Sequence, residues 1–300
     1  MDAIDITPSL LRSWPLPMPQ ADGDKEVRGH LLIVAGSAEM PGAILLAATA
    51  ALRAGAGKLT LATGASVAAQ VAIAMPEARV IGLDETAQGG FRHEARHQLA
   101  PLAGKVDAVL VGPGMCDTAA CCELMRHLLP LFAGSRLILD ARAMQVVRQP
   151  AQLHSQFSSQ FSFNQPVLLT PHAGELAQLM GLSKEAVLAA PLGCAVEAAR
   201  RWHASVALKG ALTVLATPDG TTWTHAGGNI GLAISGSGDT LAGIITGLAA
   251  RGAPLAQACA WGIALHALAG EQLALRFGIL GYLAREIPAE IPALLRHLAA

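Results

Sequence analysis

The chain has 300 residues, of which 52% are hydrophobic and 14% are charged, so its composition is that of a compact globular protein rather than a disordered one. A formal net charge of −1 and an aromatic content of 4% argue against a nucleic-acid-binding surface, which needs basic patches and stacking platforms. With few aromatic side chains, the core must consist of Ala, Leu, Val and Ile. Together with 31 glycines, this composition suits helices packed closely on a parallel sheet.

The N-terminus carries Asp2 and Asp5 and has no long apolar run, so we expect no signal peptide. No apolar segment reaches the roughly 18 residues of a membrane-spanning helix. The 5 cysteines are odd in number and lack the histidine pattern of a zinc site, which favours free, buried thiols. We therefore expect a cytoplasmic protein.

Residues 1–29 are rich in proline and predict an irregular segment that wraps over the surface of one domain formed by residues 30–300. Within the domain, apolar runs that end in glycine or polar residues predict strands, and small-residue runs predict helices. The predicted strands span residues 30–35, 58–63, 106–111, 136–139, 167–169 and 205–208, followed by a hairpin of residues 213–216 and 221–225. The predicted helices include residues 42–56 and 241–248, and residues 157–163 predict a surface loop.

Strands that alternate with helices predict an α/β fold with a mostly parallel central sheet and helices on both faces. In such sheets ligands bind outside the carboxyl ends of the strands. Glycine or polar residues follow most of the predicted strands, among them Gly36, Gly112, Asp140, His172 and Lys209. We therefore expect these residues to belong to one site.

Residues 229–247 are the most informative segment, because a small-residue turn is followed at once by an acid and a buried helix. The turn consists of Gly236, Ser237 and Gly238, and Asp239 comes next. A helix N-terminus leaves N–H groups unpaired and carries positive potential, so it attracts phosphate or an oxyanion. Asp239 is then a candidate base for a hydroxyl or a water. A short motif of this kind also fits a simple helix cap beside an ordinary turn.

Three other segments carry polar groups at predicted strand ends: Gly112-Pro113-Gly114, Thr170-Pro171-His172-Ala173-Gly174-Glu175 and Lys209-Gly210-Ala211-Leu212-Thr213. Lys209 can reach a phosphate as a mobile point charge. The glycines, Asp140 and His172 each also fit a purely structural reading, as turn residues or as a packed histidine.

These motifs, in this order over about residues 22–296, resemble enzymes of the ribokinase fold and are most similar to the ADP/ATP-dependent NAD(P)H-hydrate dehydratases. The resemblance implies a three-layer ribokinase-like fold. Two positions depart from the family pattern. Arg142 replaces the second acid of an Asp-Ala-Asp segment, and Ala173 replaces the proline of a His-Pro-Gly-Glu segment.

The resemblance also implies the role of each site residue, with Asp239 as the catalytic base. The implied substrate-binding residues are Ala43, Gly112, Gly114, His172 and Asp239. The implied nucleotide-binding residues are Lys209, Gly210, Ala211, Leu212, Thr213, Ser237 and Gly238. The implied metal-binding residues are Glu175 and Asp140, directly or through water.

The activity implied by the resemblance is the repair of hydrated NADH or NADPH with Mg²⁺ and with ADP, or less favourably ATP, as co-substrate. The expected partners are these small molecules, other copies of the chain in a homo-oligomer and a separate epimerase of the same pathway, with no nucleic acid and no membrane. Two other functions remain open: a kinase of the same fold that acts on a vitamin precursor or a sugar, and a nucleotide-binding protein without catalysis.

Overall fold

The computed structural model describes residues 3–19, 25–148 and 161–299. Ten strands form one sheet in the order β1-β10-β9-β8-β7-β6-β5-β2-β3-β4. The strands are β1 (Ile4–Asp5), β2 (His30–Val34), β3 (Lys58–Gly64), β4 (Ala78–Leu83), β5 (Ala108–Val111), β6 (Arg136–Leu139), β7 (Val167–Leu169), β8 (Ser205–Leu208), β9 (Leu212–Ala216) and β10 (Thr222–Ala226). Only β9 runs antiparallel to its neighbours, so the described sheet is mostly parallel as predicted.

The sheet is flanked by helices that follow the strands in sequence. They are α1 (Pro8–Ser13), α2 (Gly42–Arg53), α3 (Ala68–Ala74), α4 (Arg96–Leu99), α5 (Thr118–Leu131), α6 (Ala173–Met180), α7 (Lys184–Ala189), α8 (Pro191–Trp202), α9 (Ser237–Ala250), α10 (Leu255–Phe277) and α11 (Ile287–Ala299). None of the helices in the described ranges combines the length and the apolarity that crossing a membrane requires.

Both faces of the sheet are buried, because successive side chains of a strand point to opposite sides. In β2, Leu31 and Ile33 pack in one core with α2, α9, α10 and α11. Leu32 and Val34 pack in a second core with α4, α5, α6 and α8. The predicted three-layer α/β architecture is confirmed.

Helices α2 and α9 touch backbone to backbone. A methyl group on Gly243 would lie 2.2 Å from the carbonyl oxygen of Ala47, and one on Gly247 would lie 2.4 Å from that of Ala51. Because successive turns of α9 meet successive turns of α2 in the same order, the two helices run in the same direction. Their N-terminal ends therefore lie at the same edge of the sheet.

The strand order reverses between β2 and β5, which are neighbours in the sheet although β3 and β4 separate them in sequence. In α/β sheets such a switch point opens a crevice at the carboxyl ends of the strands. The turns that follow these two strands meet there, since the N–H of Gly36 donates to the carbonyl oxygen of Pro113 at 2.7 Å.

The structure differs from the sequence prediction in three segments. Residues 3–19 contain β1 and α1 rather than irregular chain, and Trp14 stacks on Trp223 with ring centroids 5.8 Å apart. The division of the chain at residue 30 stays a prediction. Strand β4, which the analysis missed, lies at the sheet edge with mostly half-buried side chains and therefore lacks a long apolar run. Of the predicted loop, residues 157–160 lie outside the described ranges, while Phe163 is buried rather than on the surface.

All five cysteines are free, as expected. Four of them are buried and Cys116 is half-buried.

The contact between α2 and α9 predicts the effect of one methyl group. Gly247→Ala should lower the free energy of unfolding by about 1–3 kcal/mol, because the methyl group overlaps the backbone of α2 and must push the helices apart. Urea denaturation of the wild-type and variant proteins measures this difference.

Gly193→Ala in α8 is the matched control, since a methyl group there would meet no atom within 4 Å. This substitution should leave stability unchanged or raise it by up to about 1 kcal/mol, because alanine has the higher helix propensity. Equal stabilities for the two variants would contradict the proposed backbone contact.

Candidate active site

The glycine turn before α9 exposes backbone donors. Gly236 has φ +87°, a left-handed conformation that favours glycine, and a methyl group there would also lie 2.4 Å from Leu46 Cδ1. The N–H of Ser237 donates to the carbonyl oxygen of Ile234 at 3.2 Å. Within the described chain, the N–H groups of Gly238 and Asp239 have no acceptor. The turn therefore offers two free N–H groups at the positive end of α9, those of Gly238 and Asp239.

Lys209 directs its ammonium group at this turn. Its Nζ donates to Asp140 Oδ1 at 3.1 Å, and a methyl group on Gly238 would lie 3.4 Å from Nζ. The side chain is held at the end of β8, where the N–H of Lys209 donates to the carbonyl oxygen of Pro171 at 2.8 Å, and it is only 19% exposed. One cation therefore lies beside the turn that carries two N–H groups without an acceptor, which is an arrangement of the kind that binds phosphate.

Carboxylates surround the same ammonium group. Burial by itself would lower the pKa of Lys209, but the neighbouring charges of Asp140, Glu175 and Asp239 outweigh it and raise the pKa. Lys209 is therefore protonated throughout the neutral range.

Asp239 has the chemistry of a base. Burial and the negative charge of Asp140 raise the pKa of Asp239 to about 6, although Lys209 opposes the shift. A carboxyl group with a pKa near the operating pH is both ionised and basic enough to accept a proton from a hydroxyl. The reading of Asp239 as a mere cap is not supported, because the structure gives α9 no side-chain cap.

Asp140 lies at the centre of the site, at the end of β6, and is 3% exposed. Its Oδ1 also accepts a hydrogen bond from Thr170 Oγ1 at 2.7 Å. The sequence predicts no role for Thr170, because its contact with Asp140 depends on the pairing of β6 with β7.

His172 and Glu175 form a reciprocal cap at the start of α6. Nδ1 of His172 accepts from the N–H groups of Gly174 and Glu175 at 3.1 and 3.2 Å, and Glu175 Oε2 accepts from the N–H of His172 at 2.8 Å. Since Nδ1 is an acceptor, the proton of the neutral ring is on Nε2. The side chain of His172 is 60% exposed, and its Nε2 lies 3.6 Å from Glu175 Oε2, beyond hydrogen-bond distance, so Nε2–H is available as a donor to a ligand.

The two departures from the family pattern have local explanations. Ala173 is the first residue of α6, a position whose N–H has no helical partner, so alanine and proline are both tolerated there. Arg142 has a structural contact instead of a carboxylate's role. Its Nη1 donates to Thr118 Oγ1, at the start of α5, at 2.9 Å.

The glycines predicted to bind substrate meet at the switch point of the sheet. A methyl group on Gly114 would lie 2.6 Å from Cβ of Ala43, and one on Gly112 would lie 1.8 Å from the carbonyl oxygen of Asp140. Gly114 therefore packs directly against Ala43, and Gly112 packs against the backbone of Asp140.

A cavity of about 820 Å³ opens beside the glycine turn before α9. It is lined by five of the residues predicted to bind nucleotide or substrate near this turn: His172, Lys209, Gly210, Ala211 and Thr213. Ser237 and Gly238 also line it, whereas Leu212 does not and is 44% exposed. The sequence analysis missed His225, Asn229 and His266, which line the cavity as well.

The carboxylates form no metal site by themselves. In the described ranges, no group of three His, Cys, Asp or Glu side chains is close enough to hold a metal ion. Asp140 and Glu175 each use one oxygen atom in the hydrogen bonds above, through Oδ1 and Oε2. The remaining oxygens are hard ligands of the kind that Mg²⁺ prefers when phosphate and water complete its shell.

A mostly parallel sheet lies between two layers of helices, and a glycine turn and an acid stand at the start of a buried helix. This is the architecture of ribokinase-like proteins. A protein of that superfamily from Enterococcus faecalis superposes with a TM-score of 0.81 at 26% identity, over 99% of this chain and 96% of its own. The chain belongs to the NAD(P)H-hydrate dehydratase family, whose pattern matches residues 31–293.

Relatives from three bacteria agree with this assignment. The chain is 48% identical over 294 residues to the ADP-dependent (S)-NAD(P)H-hydrate dehydratase of Xanthomonas campestris, covering 98% of this chain and 96% of the relative. A crystal structure of the ADP/ATP-dependent enzyme of Bacillus subtilis, co-crystallised with ATP and Mg²⁺, superposes with a TM-score of 0.80 at 29% identity over 99% of each chain. A bifunctional NAD(P)H-hydrate repair enzyme of Moorella thermoacetica is 37% identical over 94% of this chain, which spans 52% of that relative.

The charge arrangement predicts the titration of one carboxyl group. The side-chain carbon of Asp239 should titrate near pH 6 in ¹³C NMR, and Asp140→Asn should move that midpoint to lower pH, because the charge of Asp140 contributes to the shift. Asp219→Asn, in the exposed turn between β9 and β10, is the control and should not change it. An unchanged titration midpoint of Asp239 in the Asp140→Asn variant would contradict the proposed electrostatic coupling between the two carboxyl groups.

Proposed function

We propose that this protein dehydrates hydrated NADH and NADPH, using ADP, or less favourably ATP, as the phosphoryl donor. The observation that carries the proposal is the position of Asp239, a carboxyl group with a pKa of about 6 at a turn with two free N–H groups and the ammonium group of Lys209. Family membership and the ADP dependence named for the relatives support the choice of reaction.

In the first step Asp239 accepts the proton of the hydroxyl group on the hydrated nicotinamide ring. The hydroxyl oxygen then attacks the terminal phosphorus atom of the nucleotide, and the bond from that phosphorus to the bridging oxygen breaks. The leaving group is AMP when ADP is the donor and ADP when ATP is the donor. Because the base is at the phosphate site itself, the acceptor oxygen and the phosphorus are held for in-line attack.

The N–H groups of Gly238 and Asp239 and the ammonium group of Lys209 stabilise the charge on the transferring phosphoryl group. They are oriented before the substrate arrives, so little reorganisation is needed during the reaction. Phosphoryl transfer depends on positioning and electrostatics of this kind.

Asp140 and Glu175 would hold Mg²⁺ through their remaining oxygen atoms, directly or through water. When bound, the ion would neutralise part of the negative charge of the phosphate groups. The two side chains also keep Lys209 protonated and in place, through the Nζ hydrogen bond to Asp140 and the charge of Glu175.

The hydrated ring would lie at the switch point, beside Gly112, Gly114 and Ala43. None of these three residues carries a side chain larger than a methyl group, so they leave space for a flat ring. His172 would donate from Nε2 to a polar group of the substrate, since its Nδ1 is occupied by the cap of α6.

In the second step the ring nitrogen expels the phosphate group. Its lone pair forms a double bond to the ring carbon as the carbon–oxygen bond breaks. Loss of a proton from the adjacent carbon restores the dihydronicotinamide. Phosphorylation makes this possible because phosphate is a far better leaving group than hydroxide.

The nucleotide would occupy the 820 Å³ cavity. Gly210, Ala211 and Thr213 line its wall after β8, and Ser237 and Gly238 lie at its phosphate end. Leu212 would not contact the nucleotide, because it does not line the cavity.

We also propose a homo-oligomer in the cytoplasm that works beside a separate epimerase. Large apolar side chains are exposed between the end of α10 and the start of α11: Leu275, Phe277, Ile279, Leu280 and Leu283. Exposed apolar patches of this kind mark association surfaces. The bifunctional relatives support an epimerase in the same pathway.

Asp239→Asn tests the proposed base. The substitution keeps the shape of the side chain and removes its basicity, so turnover should fall by roughly 10²–10⁴-fold. The affinity for ADP and Mg²⁺ should remain within about threefold, because the amide does not alter the N–H donors. Asp219→Asn is the control and should retain wild-type turnover. A third of wild-type activity in Asp239→Asn would overturn the assignment.

Products distinguish the dehydratase from a kinase of the same fold. With hydrated NADH, nucleotide and Mg²⁺, the wild-type protein should release inorganic phosphate in step with recovery of the near-ultraviolet absorbance of NADH. A kinase would leave the phosphate on its acceptor, and a nucleotide-binding protein would produce neither signal.

Lys209→Met should raise the KM for ADP, because a charge-assisted contact to phosphate is lost, at a cost of about 1.5–3 kcal/mol or some ten- to hundredfold. The same substitution removes the positive charge that lowers the pKa of Asp239, so the acid limb of the pH–rate profile should move to higher pH. Lys184→Met, at the exposed start of α7, is the control. A loss in kcat alone, with unchanged KM and pH profile, would contradict this role.

A further inference from the structure

His266 lies in α10 and lines the nucleotide cavity, yet none of the steps above uses it. Its Nε2 is 3.0 Å from Ser237 Oγ and 3.1 Å from the carbonyl oxygen of Ser237. A histidine thus contacts the hydroxyl group and the carbonyl oxygen of the first residue of α9, directly before the two free N–H groups.

The geometry fixes the direction of these hydrogen bonds. Burial lowers the pKa of His266 to about 4, and the nearby charge of Lys209 acts in the same direction, so the ring is neutral when the enzyme works. A carbonyl oxygen can only accept, so a contact at 3.1 Å is favourable only if Nε2 carries the proton. Nε2–H therefore donates to the carbonyl oxygen and to Oγ of Ser237. Because Oγ is an acceptor in this contact, its own hydrogen is left free for another acceptor.

The cavity supplies that acceptor when the nucleotide is bound. Ser237 is 5% exposed, and it lines the cavity beside Gly238. Its own N–H is already used by Ile234. The only donor that Ser237 can still give to a phosphate is its side-chain hydroxyl.

We infer that His266 is a positioning residue that orients the hydroxyl group of Ser237 as a third donor to the nucleotide phosphate. This inference rests on the proposed function, because it places the phosphate at the start of α9. The role goes beyond structural support of α9, since Thr240 Oγ1 already donates to the carbonyl oxygen of Ser237 at 2.7 Å.

The test compares four variants: His266→Leu, His266→Gln, Ser237→Ala and the double variant His266→Leu/Ser237→Ala. Titration calorimetry with ADP and Mg²⁺ gives the affinity, and steady-state kinetics give KM and kcat. His266→Leu should weaken ADP binding and lower kcat/KM for ADP by about 10–100-fold, the usual effect of losing a residue that orients a ligand-binding group. The KM for the hydrated dinucleotide should not change.

His266→Gln should recover most of the loss, because the glutamine amide can place an N–H where Nε2–H lies in the wild-type protein. In the Ser237→Ala background, His266→Leu should have no further effect, since the hydroxyl that it orients is gone. Thr246→Ala is the matched control, as it removes another buried hydroxyl of α9 that donates to a helix carbonyl at 2.7 Å, far along the helix from the turn.

Independent, multiplying effects of the two substitutions would overturn the inference, as would equal losses in His266→Leu and His266→Gln. Should His266→Leu not fold, His266→Asn replaces it, because the shorter amide cannot reach the position of Nε2, and equal affinities of His266→Asn and His266→Gln would overturn the inference. A wild-type protein that binds ADP but does not regenerate NADH would refute the proposed function, while the binding data would still decide the role of His266.

Discussion

The backbone contact between α2 and α9 is the constraint on which the site depends. Because Gly243 and Gly247 let the helices touch without intervening side chains, the two helices run side by side and start at the same edge of the sheet. The chain entering α2 forms one side of the switch-point crevice, and the chain entering α9 forms the glycine turn with its two free N–H groups. The contact continues on the other side of α9, where a methyl group on Gly262 would lie 2.5 Å from Ile245 Cγ1. This approach brings α10, and with it His266, against the start of α9.

The second constraint is electrostatic. The ammonium group of Lys209 is the common neighbour of Asp140, Glu175 and Asp239, so negative charge exceeds positive charge at the point where phosphate would bind. Part of this excess is relieved by the raised pKa of Asp239, which gives that carboxyl group the properties of a base near pH 6. The rest would be relieved by a cation that arrives with the nucleotide, which gives the proposed Mg²⁺ a physical reason. Removing any one charge should therefore change the electrostatic potential at the other three groups.

The same side chains that stabilise local structure are the ones proposed to bind ligands. His172 caps α6 with Nδ1 and Glu175 returns the bond, and this arrangement fixes the ring tautomer that leaves Nε2–H for a ligand. Likewise Asp140 is held by Thr170 while it holds Lys209. A group oriented by its own fold loses less entropy when it binds, so these residues are preorganised for their proposed roles.

The sequence by itself determined the fold class and most of the candidate site. Alternating strands and helices predict the parallel sheet, and polar residues at strand ends predict which side chains share one edge, since these patterns are local and arise from backbone geometry. It did not reveal β1 or β4, which are short or half-exposed edge strands without a strong apolar pattern. Only the tertiary structure showed that the N–H of Ser237 is already used, that Leu212 lies outside the cavity and that His266 reaches Ser237. These features depend on distances between residues far apart in sequence, such as the 29 positions that separate Ser237 from His266, and on burial that shifts the pKa of Asp239. No local pattern encodes them, because they arise when α9, α10 and β8 pack together.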